Sequence, residues 1–174
     1  MFSKEFFHQI IQDPRNEENI DLLPRGRKVD LRKITFQFLE EGYAYECYMK
    51  NNEEGRVSWF WQPGEFIIPT SEYSRVVMQS DCKTQQLSHI NVIQTLRKFP
   101  ESRYHYKEIR DAHNKKVAVR VKELKTLSAV EQYIRLLKDK PWVFEHFGES
   151  QIASYLGISL VEYQSYQSQM NSRN

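Results

Sequence analysis

The hydrophobic period of this chain changes once, near Ser88, and that change constrains the fold more than any other feature. Upstream, Ile34, Phe36 and Phe38 alternate with Thr35 and Gln37, and Tyr43, Tyr45, Cys47 and Met49 alternate again after Glu40-Glu41-Gly42. Val57, Trp59 and Trp61 resume the pattern, followed by the short apolar runs Phe66-Ile67-Ile68 and Val76-Val77-Met78. A period of two puts alternate side chains on opposite faces of a strand, so these runs predict half-buried strands. Leu22-Leu23-Pro24-Arg25-Gly26 and Gln62-Pro63-Gly64-Glu65 read as turns, and Asn51-Asn52-Glu53-Glu54-Gly55 as a hairpin loop. Several short strands joined by turns predict a barrel or sandwich. An amphipathic helix carrying Phe2, Phe6, Phe7, Ile10 and Ile11 precedes them and breaks at Asp13-Pro14.

Downstream, the pattern is helical. Ser88 is placed as an N-cap, and Ile90, Ile93, Leu96 and Arg97 fall at helical spacing until Phe99-Pro100. Between Ser102 and Lys125 there is no Gly or Pro, and Tyr106, Ile109, His113, Val117, Arg120 or Val121, and Leu124 form a stripe at spacings of three and four. Such a stripe serves either a two-helix dimer seam or a helix lying on its own barrel; its narrowness and charged flanks favour the seam. Ser128 and Glu131 sit at capping-box spacing and open a helix through Leu137 that stops at Lys140-Pro141. The organisation is therefore α+β: residues 1–100 a barrel with flanking helices, 101–126 a long dimerisation helix, and 127–174 a helical module.

Residues 149–168 carry the sharpest local signal. Two helices that cross closely need a small residue at the contact, which Ala153 supplies, and Gly157 four residues later can take the positive φ of a turn. Ile152, Leu156, Ile158, Tyr163 and Tyr166 fall where a three-helix core must be apolar, and Ser159 and Glu162 form a second capping box. These requirements together describe a helix-turn-helix, whose second helix enters a major groove.

Gln151-Ile-Ala-Ser-Tyr-Leu-Gly-Ile-Ser159 resembles the helix-turn-helix of Crp/Fnr transcription regulators, particularly the cyclic-nucleotide-binding-like members common in the Bacteroidetes. Ile34-Thr-Phe-Gln-Phe-Leu-Glu-Glu-Gly42 and Gly55-Arg-Val-Ser-Trp-Phe-Trp-Gln-Pro-Gly64-Glu-Phe-Ile67 are similar to the family's strand-and-glycine segment and its following hairpin. The resemblance implies a jelly-roll barrel like that of cyclic-nucleotide-binding domains, a cytoplasmic homodimer joined through Tyr106, Ile109, His113, Val117, Arg120 and Leu124, and double-stranded DNA as partner. It implies that Gln151, Ser159, Val161, Glu162, Gln164, Ser165 and Ser168 face DNA. Members that bind cyclic nucleotides hold phosphate and ribose with a Gly-Glu pair followed by Arg and Ser or Thr. Here Gly64-Glu65 leads into Phe-Ile-Ile-Pro-Thr-Ser and Arg75 is followed by Val76-Val77, so Glu65 and Arg75 are the remnants of a degenerate, weak effector site. The chain also ends soon after the recognition helix, which leaves no room for the family's β-hairpin wing.

Charge complicates the reading. Residues 142–174 carry only Glu145, Glu149, Glu162 and Arg173, whereas neutralising phosphate is what drives most nonspecific DNA affinity. The long helix offers Arg103, Lys107, Arg110, Lys115, Lys116, Arg120, Lys122 and Lys125 instead, or these simply solvate a helix face. The formal charge of the whole chain is +2, too near neutrality to indicate nucleic acid or membrane by itself. No run of about 20 apolar residues could span a bilayer. Cys47 and Cys82 lack metal-ligand spacing, and the five histidines are scattered with no close pair on a strand, so neither a metal, a cofactor nor a catalytic constellation is expected. The competing reading is a Crp-like dimer that has lost DNA binding and serves as a protein-interaction module.

Overall fold

The computed structural model describes residues 20–29, 34–50 and 53–171; the helix expected over residues 2–11 lies outside them. Among the described residues eight strands come first: β1 (Ile20–Leu23), β2 (Lys28–Val29), β3 (Ile34–Glu41), β4 (Ala44–Lys50), β5 (Glu53–Trp61), β6 (Glu65–Ile67), β7 (Ser74–Met78) and β8 (Cys82–Ser88). They pair antiparallel in two four-stranded sheets, ordered β1-β8-β3-β6 and β2-β7-β4-β5. Alternating strands between two facing sheets in this order makes a jelly roll. The turn expected before Gly26 is present, but Leu22 and Leu23 belong to β1. β8, Cys-Lys-Thr-Gln-Gln-Leu-Ser, shows no apolar alternation and only its neighbours reveal it as a strand.

Six helices follow among the described residues: α1 (His89–Lys98), α2 (Ser102–Thr126), α3 (Ala129–Asp139), α4 (Trp142–His146), α5 (Glu149–Leu156) and α6 (Leu160–Asn171). The capping box of α3 forms as its sequence dictates, with Glu131 N donating to Ser128 Oγ at 3.3 Å and Ser128 N to Glu131 Oε2 at 2.7 Å.

Alternation along β4, β5 and β7 sorts the core. Ala44, Trp59, Trp61, Val76 and Met78 point into the roll with Leu39 and Ile67 of the opposite sheet. Tyr45, Cys47, Phe60 and Val77 point outward, where Tyr133, Leu136, Val143, Phe147, Ile152, Tyr155, Leu156 and Tyr163 of α3 to α6 pack on them in one continuous cluster. The helical module and the barrel thus share a core. Ring contacts Phe60–Phe147 (4.6 Å) and Phe60–Tyr155 (5.0 Å) lie at its centre.

The long helix lies on its own barrel. Tyr106 and Ile109 pack against Phe38, Val92 and Phe66, and Val117 packs against the inner cluster containing Trp59 and Trp61. The His113 ring meets Trp59 at 5.8 Å, and Lys116 Nζ reaches Glu65 Oε1 at 3.3 Å. These contacts reach the two edge strands β5 and β6. Of the six stripe positions, Tyr106, Ile109, His113, Val117 and Arg120 make contacts within the chain; the first four remain only half-buried by them, and Leu124 is exposed. Periodicity reveals that a helix has an apolar face but not which surface it meets.

Candidate nucleic-acid interface

α5 and α6 are joined by Gly157, Ile158 and Ser159. Gly157 adopts φ +75°, the left-handed conformation, and Ile158 N reaches back to Ala153 O at 3.1 Å while Gly157 N donates to Ser154 O at 3.1 Å. This closes α5 with a Schellman cap. The left-handed φ calls for glycine here; a Cβ would also stand 2.7 Å from the Arg56 guanidinium, a flexible group that can move aside. Ser159 then starts α6: Glu162 N donates to Ser159 Oγ at 3.2 Å, and Ser159 N and Oγ donate to Glu162 Oε2 at 2.8 and 2.7 Å. Those bonds hold the Glu162 carboxyl below its usual range. Ile152, Ala153, Leu156 and Tyr163 are buried as the spacing predicts, Ile158 packs partly against them, and Tyr166 is half-buried. The Tyr163 phenol is pushed up to about 12, by burial first and then by Tyr133 and Glu149.

Of the residues expected to face DNA, Val161 (76% exposed), Gln164, Ser165 and Ser168 lie on the outer face of α6. Ser159 and Glu162 are also exposed but are spent on the cap. Gln164 Nε2 donates to Glu149 Oε2 at 2.9 Å, tying α6 to the start of α5. Gln151 is engaged internally: its Oε1 accepts from Gly148 N at 2.8 Å and its Nε2 donates to Gln79 Oε1 at 2.8 Å, with Gln79 Nε2 bonded to His146 O at 3.1 Å. Ser154 Oγ accepts from Val57 N at 3.0 Å, so α5 is pinned along the edge of β5. Residues 142–171 contain no Lys or Arg. Of the eight basic residues of α2, seven are exposed and Arg120 is buried.

Glu65 and Arg75, the expected remnants of an effector site, do not converge. Glu65 Oε2 accepts from Gln62 N at 3.2 Å and its Oε1 pairs with Lys116, whereas Arg75 alternates with the inward Ser74 and Val76 and bonds Ser74 O at 3.1 Å. What sequence reasoning missed is Glu46. Its carboxylate is completely buried inside the roll and accepts from Thr70 N and Thr70 Oγ1, each at 2.7 Å, from Ser58 Oγ at 2.8 Å and from Ser74 Oγ. A buried charge survives only with such compensation. Glu46 thereby gathers the donors of the β6–β7 connection around a carboxylate belonging to the chain. The only sequence sign of it is a charged residue at an inward strand position.

No protein-family model and no curated protein matches the sequence. Its fold does match solved structures. A cyclic nucleotide-binding domain containing protein from Listeria monocytogenes EGD-e superposes with TM-score 0.71 at 12% identity, over 97% of this chain and 90% of that one. FixK2 from Bradyrhizobium japonicum gives TM-score 0.74 at 10% identity, over 88% and 84%. A protein from Eubacterium rectale assigned to the crp/fnr family of transcriptional regulators gives 0.69 at 8% identity, over 91% and 81%. The chain has the fold of the Crp/Fnr regulators and their cyclic-nucleotide-binding domains. At these identities the likeness is one of fold. Among the described residues no helix is long and apolar enough to cross a membrane.

Proposed function

We propose that the protein is a transcription regulator that reads double-stranded DNA with α6, as a homodimer, and that its barrel takes no cyclic nucleotide tightly. The observation that carries this reading is the outer face of α6, where Val161, Gln164, Ser165 and Ser168 are presented beyond a capped, glycine-closed turn. Gln and Ser can bond base edges, and Val suits a thymine methyl. The degenerate effector site is supported by Glu46, whose carboxylate already consumes the donors an incoming phosphate would need, and by the separation of Glu65 from Arg75. Pairing of two copies would use the α2 stripe through Tyr106, Ile109, His113, Val117, Arg120 and Leu124, of which Tyr106, Ile109, His113 and Val117 are only half-buried and Leu124 is exposed.

The test is selection from random duplex DNA at two salt concentrations. A regulator of this kind enriches a palindromic site, with a shallow salt slope because few phosphates are neutralised, and Gln164→Ala with Ser165→Ala weakens that site. A second reading is favoured by the absence of Lys and Arg from residues 142–171 and by the docking of α5 on β5: a protein-interaction module that has lost DNA binding. No retention of duplex at low salt would select it.

A further inference from the structure

A groove of about 430 Å³ runs outside the barrel between α2, α3 and the edge strand β5. That volume is ordinary for a small-molecule site. Its apolar walls include Trp59, Val119, Leu136 and Tyr155. Its charged lining is unbalanced, with five cationic side chains (Lys115, Lys116, Arg120, Arg135, Lys140) against the carboxylates Glu123 and Asp139.

Most of these charges are already matched. Arg135 Nε lies 3.0 Å from Glu123 Oε1 and 3.4 Å from Asp139 Oδ2. Arg120 donates to Gln132 Oε1 at 3.0 Å and Tyr155 O at 2.7 Å, with Glu123 Oε2 at 3.7 Å. Lys116 pairs with Glu65. Lys140 is different. Its ammonium lies over the Trp59 ring at 4.5 Å and near Trp142 at 5.9 Å, and among the described residues no hydrogen bond or carboxylate reaches it. A desolvated cation resting on an indole and facing an open groove has no counter-ion in contact, Glu65 and Glu123 acting on it only from a distance.

We propose that this groove binds an aromatic monocarboxylate, with its ring against Trp59 and Tyr155 and its carboxylate on Lys140. A monoanion is indicated because, of the two ammonium groups without a partner among the described residues, Lys115 is solvent-exposed and only Lys140 is held against the rings; the Arg120 fork, which would suit a phosphate, is spent inside the chain. An aromatic body is indicated because two rings and two aliphatic side chains wall the groove. Trp59 also belongs to the inner cluster of the barrel, so the groove adjoins the barrel interior at the β5 edge, and the site does not depend on whether α6 contacts DNA. Burial, with Lys116 and Arg120 nearby and opposed by Glu65 and Glu123, brings the Lys140 ammonium down to about 8, and a bound carboxylate would restore its proton.

The experiment is calorimetry on the full chain at pH 8 with 2-naphthoate, and with 2-naphthamide as the uncharged control, in two buffers of different ionisation enthalpy. The expected result is tighter binding of the carboxylate than the amide by about tenfold or more, accompanied by proton uptake. Lys140→Met should abolish that preference, and Lys140→Arg should retain it. Equal binding of the two probes, or no binding of either at millimolar concentration, overturns the proposal. In case Lys140→Met fails to fold, acetylation of the natural chain with and without 2-naphthoate, read by mass spectrometry, serves instead. Selective protection of Lys140 supports the site, and unprotected Lys140 overturns it.

Discussion

Arg120 donates to the main-chain oxygen of Tyr155 at 2.7 Å while its guanidinium lies 3.8 Å from the centroid of the Tyr155 ring. One side chain of the long helix thus holds the C-terminal turn of α5 by both its backbone and its ring. Gln132 of α3 accepts from the same guanidinium, so three helices meet on a single buried cation. Removing it strands two acceptors. Arg120→Met should lower unfolding free energy by about 2–4 kcal/mol, measured by denaturant titration, and Arg120→Lys should recover little of it because an ammonium cannot form the fork. A loss under about 0.5 kcal/mol would place the cation outside the energetics of the core.

Glu46→Ala removes the shared acceptor of four donors inside the roll: Thr70 N and Oγ1 lose their acceptor outright, while Ser74 Oγ keeps Ser71 O at 2.7 Å and Ser58 Oγ keeps the main-chain oxygen of residue 46 at 3.4 Å. The expected cost is about 3 kcal/mol or more, with earlier proteolytic cleavage in the connection containing Thr70. Glu46→Gln should cost less, since the amide oxygen still accepts, though its NH₂ meets donors on that side.

Gly157→Ala introduces left-handed strain and a contact with Arg56. The strain alone should cost about 1 kcal/mol. Since the Arg56 side chain is flexible, Arg56→Ala in the same background should recover only the small steric part, and thermal melts of the single and double variants separate the two.

Lys140 carries a pH signature. Its ammonium is lowered to about 8 from the ordinary 10.5, by burial first, so the unfolded chain binds the extra proton between those values. Stability should therefore rise with pH from about 8 toward 10. Buried Tyr133 and Tyr155, raised above the ordinary phenol, act oppositely only beyond pH 10, where the unfolded chain ionises first. The difference between the natural chain and Lys140→Met, followed by denaturant midpoint from pH 7 to 10, isolates the lysine. A pH-independent difference refutes the assignment.

What could be read from the sequence was local. The change of period at Ser88, the capping boxes at Ser128 and Ser159 and the left-handed Gly157 each depend on residues within a few positions, and each is present. What could not be read depends on distant partners. β8 is polar because Thr84 bonds Gln37 of the neighbouring strand β3 at 3.0 Å. Gln151 looked free because Gln79 lies far away in the chain. The barrel contacts of the α2 stripe could not be read because the strands it meets lie some fifty residues earlier.

The shared core has a thermodynamic corollary. Tyr45, Phe60 and Val77 of the barrel cannot be exposed without also uncovering Ile152, Leu156 and Tyr163. Barrel and helical module therefore melt as one cooperative unit, with a single heat-absorption peak, and a rigid-body swing of one against the other would break their shared apolar cluster. Any signal passing between them has to be a small adjustment inside a packed interior, transmitted as strain.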